Sequence, residues 1–133
     1  MPLFVADTHA LVWHLQGKNQ KLGHAAREAF RSADQGNALI HVPVPVLLEV
    51  WSLQHIGRID LGSPFREWRL RLEAIPGFSV VPFEADQMDH LPSPDALRDP
   101  TDRLIVAIAR AHGLPLITAD AAITESKLVE ICW

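Results

Sequence analysis

The chain has 133 residues, 48% hydrophobic and 21% charged, with a formal charge of -4, which places it among ordinary globular proteins and excludes disordered or fibrous ones. Its single cysteine, Cys132, excludes an internal disulfide and a cysteine-rich zinc site. The first apolar run, Leu3 to Ala6, is too short for a secretory core and no segment has the length of a membrane span, so the expectation is one cytoplasmic domain over 1–133 with no membrane contact.

In chain order, Leu3 to Ala6 predicts a short buried strand that passes at Asp7 into an apolar helix, Thr8 to Leu15. His24 to Ala33 has helical periodicity and stops at the Gln35-Gly36-Asn37 turn, and Ala38 to Val42 is a second strand. Pro43 and Pro45 can open a helix but not sit inside one, so the next helix is expected over Val46 to Gln54. Pro64 to Ile75 predicts a helix, Phe78 to Val81 a β-branched strand, Glu84 to His90 a short helix, and Leu91 to Arg98 a loop. A helix from Pro100 is stopped by Gly113-Leu114-Pro115, followed by a strand at Leu116 to Thr118, a helix at Ala121 to Ser126 and a strand at Leu128 to Ile131. Strands alternating with helices imply an α/β fold: a three-layer α/β/α sandwich around a parallel sheet of four to five strands. In such sheets ligands bind beyond the carboxyl ends of the strands, which directs attention to the residues that follow each strand.

Asp7 and Asp120 both do so. Each also precedes a helix, where an N-cap role explains an aspartate equally well. Asp99 is accounted for as the cap of the helix opened by Pro100, whereas Asp102, in its first turn, is not required for capping. Glu49 sits among Val46, Leu47, Leu48, Val50, Trp51 and Leu53, so its carboxylate is expected to be partly buried and in need of a partner. Like charges gathered at one sheet edge raise each other's pKa unless a cation holds them, and oxygen ligands without cysteine suit Mg²⁺ or Mn²⁺. Such an ion also supplies positive charge where a phosphodiester would sit, which reconciles a net charge of -4 with a nucleic-acid substrate. Thr8 and Thr118 flank two of the acids and can donate hydrogen bonds to them.

The stretches Val5 to Trp13, Asp99 to Ala107 and Leu116 to Asp120 closely resemble the PIN-domain family, specifically the VapC-type toxins of toxin–antitoxin pairs, and their order and spacing match across nearly the whole chain. The resemblance implies an endoribonuclease that hydrolyses structured RNA of the tRNA or rRNA class, restrained by a cognate antitoxin and assembled as a homodimer. It carries Asp7, Glu49, Asp102 and Asp120 onto the family's acidic metal positions and Thr118 onto the threonine before the last acid. The chain departs from the family pattern at Pro45 and Leu48, where a serine and a tryptophan are common, and at Thr101, where an aromatic residue is frequent. The alternative is a PIN-fold module that binds RNA or protein without cutting.

Other α/β classes lack their marks. A phosphoacceptor receiver needs paired acids after the first strand, a dehalogenase-like phosphatase needs an aspartate at position 9, where His9 stands, and a dinucleotide site needs a glycine-rich first turn. None of the seven histidines has zinc-ligand spacing, with His9 nearest the acids. Lys18, Lys21, Arg66, Arg69 and Arg71 are solvated faces or contacts for RNA phosphates or an antitoxin, and Trp13, Trp51 and Trp68 are expected in the core, with spare apolar helix surface for a partner.

Overall fold

The structure, a computed structural model, describes residues 1–133. Strands β1 (Leu3–Ala6), β2 (Leu39–Pro43), β3 (Phe78–Val81), β4 (Leu116–Ile117) and β5 (Ile131–Cys132) form one sheet in the order β3-β2-β1-β4-β5, every pair parallel. Helices α1 (Thr8–Leu15), α2 (His24–Asp34), α3 (Val44–His55), α4 (Phe65–Glu73), α5 (Pro100–His112) and α6 (Ala121–Ser126) complete the three-layer α/β/α sandwich. The central strands are covered on both faces, so Val5, Ala6, Ile40, Val42, Leu116 and Ile117 are all fully buried, with only the partly buried His41 interrupting the apolar pattern of β2.

The connectivity fixes the site. The chain steps outward from β1 to β2 to β3, then returns to lay β4 against the other side of β1. Strand order therefore reverses between β1 and β4, and the diverging connections open a crevice beyond their carboxyl ends. Asp7 and Thr118 lie at that crevice, with the Asp7 amide donating to the Ile117 carbonyl at 3.0 Å.

Several boundaries differ from those expected. β2 extends to Pro43, which also serves as N-cap of α3, and Pro45 lies in the helix's first turn. A proline needs no amide partner at either place, so strand passes into helix without a loop. Residues Ala85–His90 form a 3₁₀ segment held by a capping box between Glu84 and Gln87. β5 falls at Ile131–Cys132 rather than Leu128 to Ile131, because α6 ends on the left-handed Lys127 (φ 55°) and the chain must swing round before Ile131 can pair with Leu116. Trp68 is buried as expected, but Trp51 is 47% exposed. Geometry demands glycine at two positions of particular use to the fold. Gly113 caps α5 at φ 65°, and a Cβ on Gly77 would lie 2.5 Å from the Ala33 carbonyl oxygen.

Candidate active site

Asp7 leaves β1 in extended conformation and caps α1, its Oδ1 accepting from the Thr8 amide at 2.8 Å. The hydroxyl of Thr118 donates to its other oxygen, Oδ2, at 2.6 Å and accepts from the Asp120 amide at 3.0 Å. One buried hydroxyl thus couples the end of β4 to the end of β1 and leaves neither carboxylate oxygen free to rotate. Burial raises the Asp7 pKa most; the bonds from Thr118 and Thr8 oppose it, Asp120 adds to it, and His9 opposes it. Asp120 in turn caps α6 by accepting from the Ile123 amide at 2.9 Å. Capping and membership of the acidic cluster are therefore compatible, and the choice the sequence posed between them does not arise.

Glu49 projects from the second turn of α3, half-buried. Burial is the main cause of its raised pKa, Thr8 lowers it, Asp7 and Asp99 raise it, and His9 lowers it. The Thr8 hydroxyl faces this carboxylate without meeting it in a well-formed hydrogen bond, and it is left fully buried with no partner. Asp102 lies in the first turn of α5, where the helix dipole favours an anion. Its carboxyl is pushed up to about 7, first by burial and then by Asp7, Asp99, Asp120 and Glu49 together. All four expected acids are thus near enough to act on one another.

Asp99 belongs with them electrostatically. It accepts from the Thr101 and Asp102 amides at 2.8 and 3.1 Å, the capping role expected of it, yet it also raises the pKa of both Glu49 and Asp102. No lysine or arginine compensates this charge, and only His9 acts against it: the three ion pairs of the molecule join His14 to Asp34, Arg31 to Glu28 and Arg69 to Glu73. Arg103, adjacent to Asp102, turns away to the carbonyls of Leu97 and Arg98 at 2.9 and 2.8 Å and braces the loop before α5. No three acids approach closely enough to hold one ion by direct protein bonds alone.

Away from the acids, α3, α4 and β3 border an open apolar groove of about 530 Å³ lined by Val44, Leu47, Leu48, Trp51, Phe65 and Val80. It is the exposed face of α3 that leaves Trp51 outside the core. No helix is long and apolar enough to cross a membrane.

A parallel sheet that collects uncompensated carboxylates at its topological switch point defines an α/β protein with a cation-seeking acidic site. Sequence comparison matches residues 4–126 to the PIN domain, and the chain belongs to that family. It is 32% identical to ribonuclease VapC22 of Mycobacterium tuberculosis over 128 residues, 96% of this chain and 94% of that one. Among solved structures it resembles VapBC2 of Rickettsia felis, crystallised with a promoter DNA fragment, at TM-score 0.66 and 14% identity over 97% of this chain and 96% of that one. The PIN-domain endonuclease Utp24 aligns at TM-score 0.52 and 17% identity, over 93% of this chain and 75% of that one. At these identities the two structures speak for the fold, which agrees with the one expected from the sequence.

Proposed function

We propose that residues 1–133 act as a single nuclease domain, a divalent-metal-dependent endoribonuclease that serves as the toxin of a toxin–antitoxin pair. The observation that carries this reading is the convergence of Asp7, Glu49, Asp102 and Asp120 at the β1–β4 crevice with no lysine or arginine paired to them. The likeness to a VapC ribonuclease over nearly the full length of both chains supports RNA as the substrate and hydrolysis as the reaction.

The donor set fits Mg²⁺ or Mn²⁺. It consists of carboxylates without cysteine, the pKa values of Asp7, Glu49 and Asp102 are raised as expected of acids awaiting a cation, and the orphaned Thr8 hydroxyl is a polar group still in need of a partner. No three of the acids converge on one point, so an ion would be held directly by one or two of Asp7, Glu49, Asp102 and Asp120 and reached by the others through water. When bound, it supplies a Lewis acid and a water made nucleophilic at neutral pH. Thr118 fixes the orientation of Asp7 and the backbone at Asp120, so two donor groups from different strands keep one relative geometry. The α3–α4 groove supports a protein partner, a cognate antitoxin or a second copy, and the setting proposed for the pair is the cytoplasm.

Incubation of tRNA and rRNA with the purified chain tests the reading. Cleavage is expected with Mg²⁺ or Mn²⁺, to stop with EDTA, to return on metal addition, and to be absent in Asp102→Asn. Cleavage that persists without metal, or equally in the variant, overturns the mechanism. RNA binding with no cleavage in any metal identifies the non-cutting module instead.

A further inference from the structure

Resting on the ribonuclease reading, we propose that His9, Trp13 and Trp133, with Lys21, form a stacking track that leads unpaired RNA bases away from the acidic crevice. His9 and Trp13 are one turn apart on α1, so both project from the same side of the helix, and their rings meet at 5.8 Å between centroids. Trp133, just beyond β5, continues the row at 6.2 Å from Trp13. The Lys21 ammonium stands 5.5 Å from the centroid of the Trp13 ring.

The track starts at the acids. His9 is exposed in the first turn of α1, two residues after Asp7, which caps that helix. Trp13 and Trp133 pack partly on the core and leave the rest of each ring to solvent. Rings tilted by 53° and 58° in mutual contact leave no gap for a base between them, so bases are received on the exposed surface of the row. Aromatic platforms hold bases whatever their sequence, and an adjacent ammonium neutralises the backbone phosphates that a chain of net charge -4 would otherwise repel. In a duplex the bases are already stacked on one another. The occupant this row selects is therefore a loop or single-stranded segment, and paired RNA is discriminated against.

The probe is an unstructured oligouridylate of about 12 nucleotides, compared with a duplex of equal length. In the Asp102→Asn chain, where binding is read without cleavage, the oligouridylate is expected to quench tryptophan fluorescence and the duplex to bind more weakly. His9→Ala and Lys21→Ala alter exposed residues and leave the fold intact; each is expected to weaken binding by about 5-fold or more. Trp13→Leu keeps apolar volume but removes the aromatic face and is expected to lose most of the quench, while Trp13→Phe restores binding and Trp51→Leu, on a different face, retains both. In the cleaving chain the His9 and Lys21 variants raise KM for single-stranded RNA with little change in kcat. Unchanged affinity in His9→Ala and Lys21→Ala, or preference for the duplex, overturns the track and leaves these rings as packing or a protein-facing surface. Absence of cleavage by the wild-type chain with binding intact fails the nuclease reading and not the track.

Discussion

Replacing Asp102 by asparagine separates the two demands on that position, fold and chemistry. Its carboxyl titrates at about 7 in the folded chain against 3.8 for an unperturbed aspartate. A folded pKa above the unfolded one means that the group is no burden below about pH 4, that its penalty builds as pH rises from about 4 to about 7, and that the full penalty persists above that. The shift corresponds to about 4 kcal/mol for a fully desolvated group. Half of this carboxyl faces solvent, and screening reduces the figure to about 1–2 kcal/mol. Asparagine has nearly the same shape and no charge, so at about pH 8 without metal the variant is expected to melt about 3–8 °C above wild type. The gap should close toward about pH 4.5, where the wild-type carboxyl is protonated. Excess Mg²⁺ should raise the wild-type Tm and raise that of the variant less, since only the former retains the full donor set. RNA cleavage should fall by about 100-fold or more. Calorimetry across this pH range with and without metal reads the first three effects. A variant less stable than wild type at alkaline pH, or a gap that does not widen with pH, refutes the proposed burial of unpaired charge.

Three further outcomes follow from particular contacts. Thr118→Val removes the donor to Asp7 and the acceptor of the Asp120 amide, and should cost about 1–3 kcal/mol in denaturant unfolding while weakening metal binding measured by calorimetry; Thr118→Ser should recover both. Gly77→Ala drives a methyl group against the Ala33 carbonyl and should cost about 1–3 kcal/mol with cleavage at the distant acids retained once folded. His41 has its pKa lowered by burial and then by His112, so the stability linked to its neutral form is present above about pH 6.5 and lost as pH falls through the folded value. His41→Gln, which cannot titrate, should flatten the decline in Tm on that acidic side.

Much of the site was legible because strand–acid–helix junctions are local patterns: Leu3 to Asp7 and Leu116 to Asp120 each show a strand, a turn and a cap within five residues. Glu49 was legible for a different reason, a charge set in an apolar helix with little polar surface to occupy. Asp99 was read only as a cap, since its effect on Glu49 depends on how α3 and α5 lie against each other, and local sequence does not encode that packing. The i, i+3 spacing of Asp99 and Asp102 on one helical turn was the available signal. Trp51 was misplaced because an apolar helix reads as core from its composition, and only the position of α4 shows which of its faces remains uncovered. Register of β5 was likewise tertiary: a two-residue strand takes its place from the neighbour it pairs with.

The late arrival of β4 has a consequence for a cell that makes this protein. Its two residues fill the gap beside β1, yet they are synthesised 110 residues after β1 ends. Until that insertion happens, Asp7 has no hydroxyl to steady it and the last carboxylate has no fixed address. Closure of so distant a pairing is slow compared with local helix formation. On the proposed reading, a chain whose β4 has not yet paired carries no assembled acidic site, and that site forms only when β4 closes against β1.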